Sequence, residues 1–306
     1  MNTNPTLILS VGTQVVTHVD IKNNNGDVLF VRGVVGVITK SPVDNTHAYR
    51  VRFMDGTESS LHRPDFTPRK HFQGVQAAPD RLDDFNLAQF VIYRCITGSR
   101  AYGLDHDESD TDRRGIFLPP AELQWSLYGV PEQLENDDAQ ECYWEMQKFI
   151  TLALKANPNI LECLYTPLVE TMTPLAQELI DMRAIFISKL IYQTYNGYVM
   201  SQFKKLNHHI KNHGTIKWKH AMHLIRLLLS GIIGLREGYI PVRVEAYRDD
   251  LLAIRREERS WEDVNKWRLS LHKEFDAAFQ TTTLPDRPDY ERANDFLVKA
   301  RRSMVE

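Results

Sequence analysis

The stretch that most constrains this chain runs from Gly98-Ser99-Arg100-Ala101-Tyr102-Gly103-Leu104, through Asp105-His106-Asp107-Glu108, to Ser109-Asp110-Thr111-Asp112-Arg113-Arg114-Gly115-Ile116. An apolar run before it, Phe90-Val91-Ile92-Tyr93-Arg94-Cys95-Ile96, reads as a buried strand. After it, Gly115-Ile116-Phe117-Leu118 continues a second strand until Pro119-Pro120 stops it. Side chains two apart on a strand share a face, so Asp110 and Asp112 converge while Thr111 points away. Two converging carboxylates suit a hard divalent cation held through oxygen, typically Mg²⁺. The Gly98-Ser99 turn opens backbone N–H groups beside that cation, and such groups suit a phosphate. Singly, a Gly-Ser pair is a turn and an Asp-x-Asp pair a solvated strand start. Their order between two apolar strands carries the signal.

The remaining composition sets bounds. A chain of 306 residues, 42% hydrophobic and 25% charged, suits one large domain plus a small one with enough material for a proper core. A net charge of −3 gives no global basic field. Cys95, Cys142 and Cys163 sit in apolar or aromatic surroundings at spacings that fit no zinc or disulfide pattern, which predicts reduced core thiols. Met1-Asn2-Thr3-Asn4-Pro5 lacks a basic n-region, and Gly12 and Gln14 break the apolar stretch that follows. No run approaches the roughly 18–20 apolar residues of a membrane helix. The expectation is a cytoplasmic protein. A phosphate-loop ATPase is disfavoured, because no Gly-x-x-x-x-Gly-Lys-Ser/Thr run exists.

The first 72 residues are β-rich. Residues 13–19 read as a strand, Asn25-Gly26 as a turn, and Val28 to Lys40 as β structure interrupted at Gly33 and Gly36. Pro42-Val43-Asp44-Asn45 makes another turn, 47–53 alternates in strand fashion, and Asp55-Gly56 signals a hairpin into 57–62. Four or five short strands in so little chain predict a small barrel, similar in pattern to an SH3-like or KOW-like module. Eight basic residues against six acidic ones give this segment +2. Arg50 and Arg52 share a strand face near Tyr49, an arrangement that tracks a phosphate backbone or forms a solvated docking face. Pro64 to Asp80 reads as a linker, and residues 81–89 as a short helix before the apolar strand at 90–96.

The pattern Gly98-Ser99, Gly103, Ser109-Asp110-x-Asp112 resembles the nucleotidyltransferase signature of the DNA polymerase beta superfamily. Its surroundings, Gly-Ser-Arg-Ala-Tyr-Gly-Leu with Ser-Asp-x-Asp-x-Arg-Gly-Ile, are similar to the RlaP-like branch. The resemblance implies two Mg²⁺ or Mn²⁺ ions on three carboxylates, with nucleotide phosphates bridging them. Asp110 and Asp112 are two of the three. The third is expected on the strand at Gln140-Glu141-Cys142-Tyr143-Trp144: Glu141, with Asp138 behind it. A slip of one residue turns Glu141 to the wrong face. Asn157-Pro158 ends one helix and starts another, with Glu162 near the new helix start.

The second half is helical. Thr171 to Ser201 reads as helix, with Thr173-Pro174 as its start. Lys217-Trp218 opens a helix with Ala221, Leu224, Ile225, Leu228, Leu229 and Ile232 on one stripe. Lys219, His223 and Arg226 share its flank and suit a triphosphate, as in the family pattern. The fold class expected is α+β: an SH3-like barrel over 1–72, a nucleotidyltransferase core over 80–170, and a helical domain over 171–306 completing the nucleotide pocket. Catalytic and metal-binding roles fall to Asp110, Asp112 and Glu141, and nucleotide binding to Gly98, Ser99, Arg100, Lys219 and Arg226. The implied reaction moves an NMP from an NTP to an acceptor hydroxyl, on an RNA end in preference to a protein. The rival is a catalytically weak module that senses nucleotide or binds RNA or protein, with the barrel as a docking face.

Overall fold

The computed structural model describes residues 8–22, 26–42, 47–69, 86–107 and 109–305. Two compact units make up the chain, Met1–Phe85 and Asn86–Glu306. The expected turns at 25 and 43–45, the linker from 70 onward and the first part of the helix expected over 81–89 lie outside the described residues.

The first unit holds β1 (Gln14–Thr17), β2 (Ile21–Lys22), β3 (Val28–Phe30), β4 (Val35–Lys40), β5 (Tyr49–Arg52), β6 (Glu58–Leu61) and β7 (Phe66–Pro68). Five of them form a sheet in the order β6-β5-β4-β1-β7, antiparallel at each pairing, and β2 pairs with β3. Alternation on these strands buries Val15, Ile38, Tyr49, Val51 and Phe66 in a core of the unit's own. Two expectations change here. Among the described residues the sheet is open, with β6 and β7 as its edges, and no closed barrel forms. Residues 66–68 are strand and not linker: Phe66 buries its ring edge-on against Tyr49 at 5.2 Å, and Pro68 sits on an edge strand. Arg52, on the exposed face, is ion-paired to Glu58 at 2.9 Å.

The second unit runs β8 (Val91–Thr97), α1 (Gly98–Tyr102), β9 (Asp112–Phe117), α2 (Ala121–Trp125), β10 (Gln133–Asn136), β11 (Glu141–Glu145), α3 (Met146–Leu154), α4 (Pro158–Tyr165), β12 (Val169–Met172), α5 (Pro174–Asp181), α6 (Leu190–His213), α7 (Trp218–Glu237), α8 (Arg248–Arg255), α9 (Trp261–Thr281) and α10 (Tyr290–Arg302). Its sheet has the order β10-β11-β9-β8-β12, with β9 and β11 parallel and the other neighbours antiparallel. The fold is therefore α+β. Gly115 on β9 is required by close approach, since a Cβ there would strike the Tyr93 carbonyl on β8.

Helix starts follow their caps. Asn157 Oδ1 accepts from the N–H of Asn159 at 3.0 Å and Pro158 takes the first helical position of α4. Thr173 Oγ1 accepts from Ala176 N–H at 3.3 Å, and α5 starts at Pro174. Thr171, expected in that helix, instead pairs with Arg94 on β8. The α7 stripe (Ala221, Leu224, Ile225, Leu228, Leu229, Ile232) is buried, and it joins sheet residues such as Tyr93 and Ile116 in one hydrophobic core. All three cysteines are buried and free. No described helix is long and apolar enough to cross a membrane.

Candidate nucleotide site

Strand β8 ends at Thr97, whose Cα partner is Asp112 at the start of β9. Gly98 then takes φ +71, a left-handed conformation that glycine adopts without strain. A Cβ at this position would strike the Asp112 carboxylate, so the turn passes directly against that side chain. Gly103, also at φ +71, ends α1 with its N–H on the carbonyls of Ser99 and Arg100. The return loop is braced within itself. Arg100 donates to the Ser109 carbonyl at 2.6 Å, and His106 N–H donates to Ser109 Oγ at 2.9 Å. Helix α8 pins it from outside: Arg255 donates to the Leu104 carbonyl at 2.7 Å and contacts His106 Nε2 at 2.9 Å, while Arg248 donates to the Gly103 carbonyl at 2.8 Å.

Two adjoining cavities open here. The smaller, about 210 Å³, is lined by Ser99, His106, Ser109, Asp110 and Asp112, and from the helical side by Lys219, Met222, His223 and Arg255. The larger, about 410 Å³, shares Tyr102, Lys219 and His223 with it and adds Asn159, Glu162, Tyr198, Gln202, His220 and Arg226, among others. The carboxylates thus stand with cations that the sequence carries more than a hundred residues downstream. Of the expected residues, Ser99, Asp110, Asp112 and Lys219 share one cavity, with Gly98 against Asp112.

Three expected residues are placed elsewhere. Arg100 turns to the loop, where it braces Ser109, and does not line either cavity. Arg226 lines only the larger cavity and is committed to Glu162, its guanidinium donating to the carboxylate at 2.8 Å with both side chains almost wholly buried. Glu141 pairs with Arg113 across the parallel β9–β11 ladder, and partners in register share a face. Asp112 lies on the opposite face with Arg114, whose guanidinium reaches it at 3.2 Å. Glu141 is therefore not brought to the aspartate pair. The register decides this: Gln140, at φ +53, ends the preceding turn and the ladder begins at Glu141, which leaves Cys142 opposite Arg114 on the Asp112 face. Asp138 is exposed in that turn. Among the described residues no group of three or more His, Cys, Asp or Glu side chains is placed to hold a metal.

Charges in the cleft are tuned by burial. Tyr102 donates to Glu162 at 2.5 Å, and the Arg226 guanidinium lies 3.6 Å from the Tyr102 ring centroid. Burial and the facing Glu162 push the Tyr102 hydroxyl well above its ordinary pKa. Burial opposes the charge on Arg226, yet Glu162, Tyr102 and Tyr195 together more than offset it, and the arginine pKa is raised. Burial, then Arg226, Lys219, His220 and Arg255, lower His223 to about 3, so its imidazole is neutral at physiological pH. Sequence reading missed Arg255 and His106. Arg255 lies about 150 residues from the signature and only packing joins it to the loop, while His106 lies within the signature stretch and takes its place through the contact with Arg255.

The family model of the RNA repair pathway DNA polymerase beta family, RlaP, matches residues 76–299. The chain is also 33% identical over 82 residues to "Uncharacterized protein YcgL" of Bacillus subtilis (strain 168). That match covers 26% of this chain and 32% of the relative, so the chain spans about a third of the length of the curated relative it matches. With a glycine-serine turn set against an aspartate pair and a family match over more than half its length, this chain belongs to the RNA repair pathway DNA polymerase beta family.

Proposed function

We propose that this protein is a metal-dependent nucleotidyltransferase that moves an NMP from an NTP to an acceptor hydroxyl, on an RNA end in preference to a protein side chain. The observation that carries this reading is the single cavity holding Ser99, Asp110 and Asp112 together with Lys219 and Arg255. The donor set fits a divalent cation: two hard carboxylates two residues apart beside a hydroxyl. Asp110 and Asp112 would hold Mg²⁺ or Mn²⁺, which when bound lowers the pKa of an attacking hydroxyl and neutralises phosphate charge. The chain's own groups do the rest. Ser99 receives phosphate oxygens, Lys219 and Arg255 offset their charge, and neutral His223 offers a hydrogen bond without adding a cation. Tyr198, exposed on the larger cavity, presents a face for the acceptor's terminal nucleoside, with Asn159 and Gln202 amides beside it.

A second reading is a catalytically weak module that senses nucleotide. The position of Glu141 favours it, since a two-metal scheme uses a third carboxylate and the Asp112 face of β11 carries Cys142. In this second reading the first unit, with its SH3-like strand pattern, serves as a docking face for a partner.

Transfer of α-³²P label from each of the four NTPs, with Mg²⁺ or Mn²⁺, into total RNA and total protein separates the two. We expect label in RNA that disappears in Asp110→Asn. Equal labelling by that variant removes the proposed site, and no label from the wild type transfers the case to the sensing module.

A further inference from the structure

Helices α6 and α7, packed together and joined by residues 214–217, have a composition unlike the rest of the chain. From residue 182 to 236 there are nine basic residues and five histidines but no aspartate or glutamate, in a protein whose net charge is −3. Cations on a solvated helix are ordinarily interspersed with acids that offset them. That is the pattern on α9, where Lys266 meets Glu262 four residues earlier at 2.9 Å. On the hairpin, Lys204, Lys205, Lys211, Lys217 and Lys219 are all exposed, and among the described residues none has a carboxylate at ion-pair distance. Lys217 is the cap residue of α7 and Lys219 lies in its first turn, at the positive end of the helix dipole, with no acid in that turn. This charge is unfavourable for the fold alone. It is what a polyanion would offset.

The charged surface leads out of the larger cavity. Tyr198, Gln202, Lys205 and His209 are spaced four, three and four residues apart, one stripe along α6. The first two line the cavity, Tyr198 with 45% of its surface exposed, and His209 reaches over to Thr215 Oγ1 at 3.2 Å. At the inner end of this path Arg226 lines the cavity with its side chain only 5% exposed and its Nε buried without a partner. A membrane-surface helix would need an apolar outer face. On α6 the residues Ile191, Tyr195, Val199 and Leu206 are buried in the core instead.

We propose that the α6–α7 hairpin is a binding surface for single-stranded RNA, whose terminal nucleoside enters the larger cavity while its phosphates follow Lys205 and His209 outward to Lys211 and Lys217. The assignment of that strand as the acceptor rests on the transferase reading; the RNA-binding surface does not.

Anisotropy titration of fluorescein-labelled single-stranded RNA against the full-length protein, over a range of KCl concentrations, tests this. The variant Lys205→Gln/Lys211→Gln/Lys217→Gln should lower affinity about 10- to 100-fold and reduce the salt slope by about 2, as loss of three phosphate contacts requires. A control of equal charge change, Lys148→Gln/Lys266→Gln/Lys299→Gln, removes lysines ion-paired elsewhere and should stay within about twofold. Unchanged binding by the hairpin variant, or equal losses in both triples, overturns the proposal. So does a wild type that binds phosphatidylserine vesicles but not RNA. Hairpin-dependent RNA binding in a protein with no transferase activity upholds the surface and removes the transferase reading alone.

Discussion

At residue scale, the cleft is built from positions where one side chain fixes another. Gly98 is confined twice, by its left-handed φ of +71 and by the Asp112 carboxylate in the space a Cβ would take. Gly98→Ala should cost about 1–2 kcal/mol of stability in urea unfolding, and should reduce transfer more than tenfold by displacing Asp112. The Glu162–Arg226 pair is different in kind, because both charges are out of water and each is held by the other. Arg226→Ala should destabilise the protein by about 3–5 kcal/mol, since it strands a buried carboxylate. The double variant Glu162→Gln/Arg226→Met should lose less than the sum of its single changes. His223 carries a pH signature. Its folded pKa of about 3 lies below the unfolded value of 6.5, so the unfolded state binds a proton that the folded state refuses. Stability from this group is present above pH 6.5 and is lost as pH falls toward 3. Thermal midpoints should therefore drop on acidification through that window, less steeply in His223→Gln.

At the scale of elements, the β9–β11 ladder decides how many carboxylates the cleft contains. Alternation puts Asp112 and Arg114 on one face and Arg113 on the other, and the parallel register assigns Glu141 to the face of Arg113. Glu141→Gln should accordingly keep metal-dependent transfer within about threefold of the wild type. Asp112→Asn should abolish it, in the same α-³²P assay. A large loss in Glu141→Gln would return that residue to the metal site. Helix α8 has the opposite effect on the cleft, adding a residue to it. By holding the loop after α1 at Leu104 and Gly103, it places Arg255 beside the aspartates as a cation the signature does not contain.

At the scale of the whole molecule, each unit has its own hydrophobic core. The cleft, the aspartate pair and the acid-free hairpin all belong to the unit Asn86–Glu306. Removal of residues 1–85 should leave a folded protein with RNA affinity within about threefold of the full chain, by the anisotropy assay. A loss of most affinity would restore the N-terminal sheet, with Arg50 and Arg52 on its exposed face, as the reader of nucleic acid.

What the sequence determined by itself is local. The glycine turn, the paired aspartates, the caps at Asn157 and Thr173 and the α7 stripe follow from spacing of two or of 3.6 residues and from the chemistry of single side chains. The resemblance read from the sequence starts from the stretch 98–116, and the family model matches residues 76–299. What only tertiary structure decided is every fact that depends on a partner far along the chain. A one-residue difference in register turns a strand's side chain to the opposite face, so the side taken by Glu141 is set by pairing with β9. A helical arginine suits a phosphate or a buried acid equally well, and Arg226 is claimed by Glu162 because α4 packs that carboxylate beneath it. Arg255 enters the cleft for the same reason: packing of α8 against the loop brings together charges separated by about 150 residues, which no local pattern encodes.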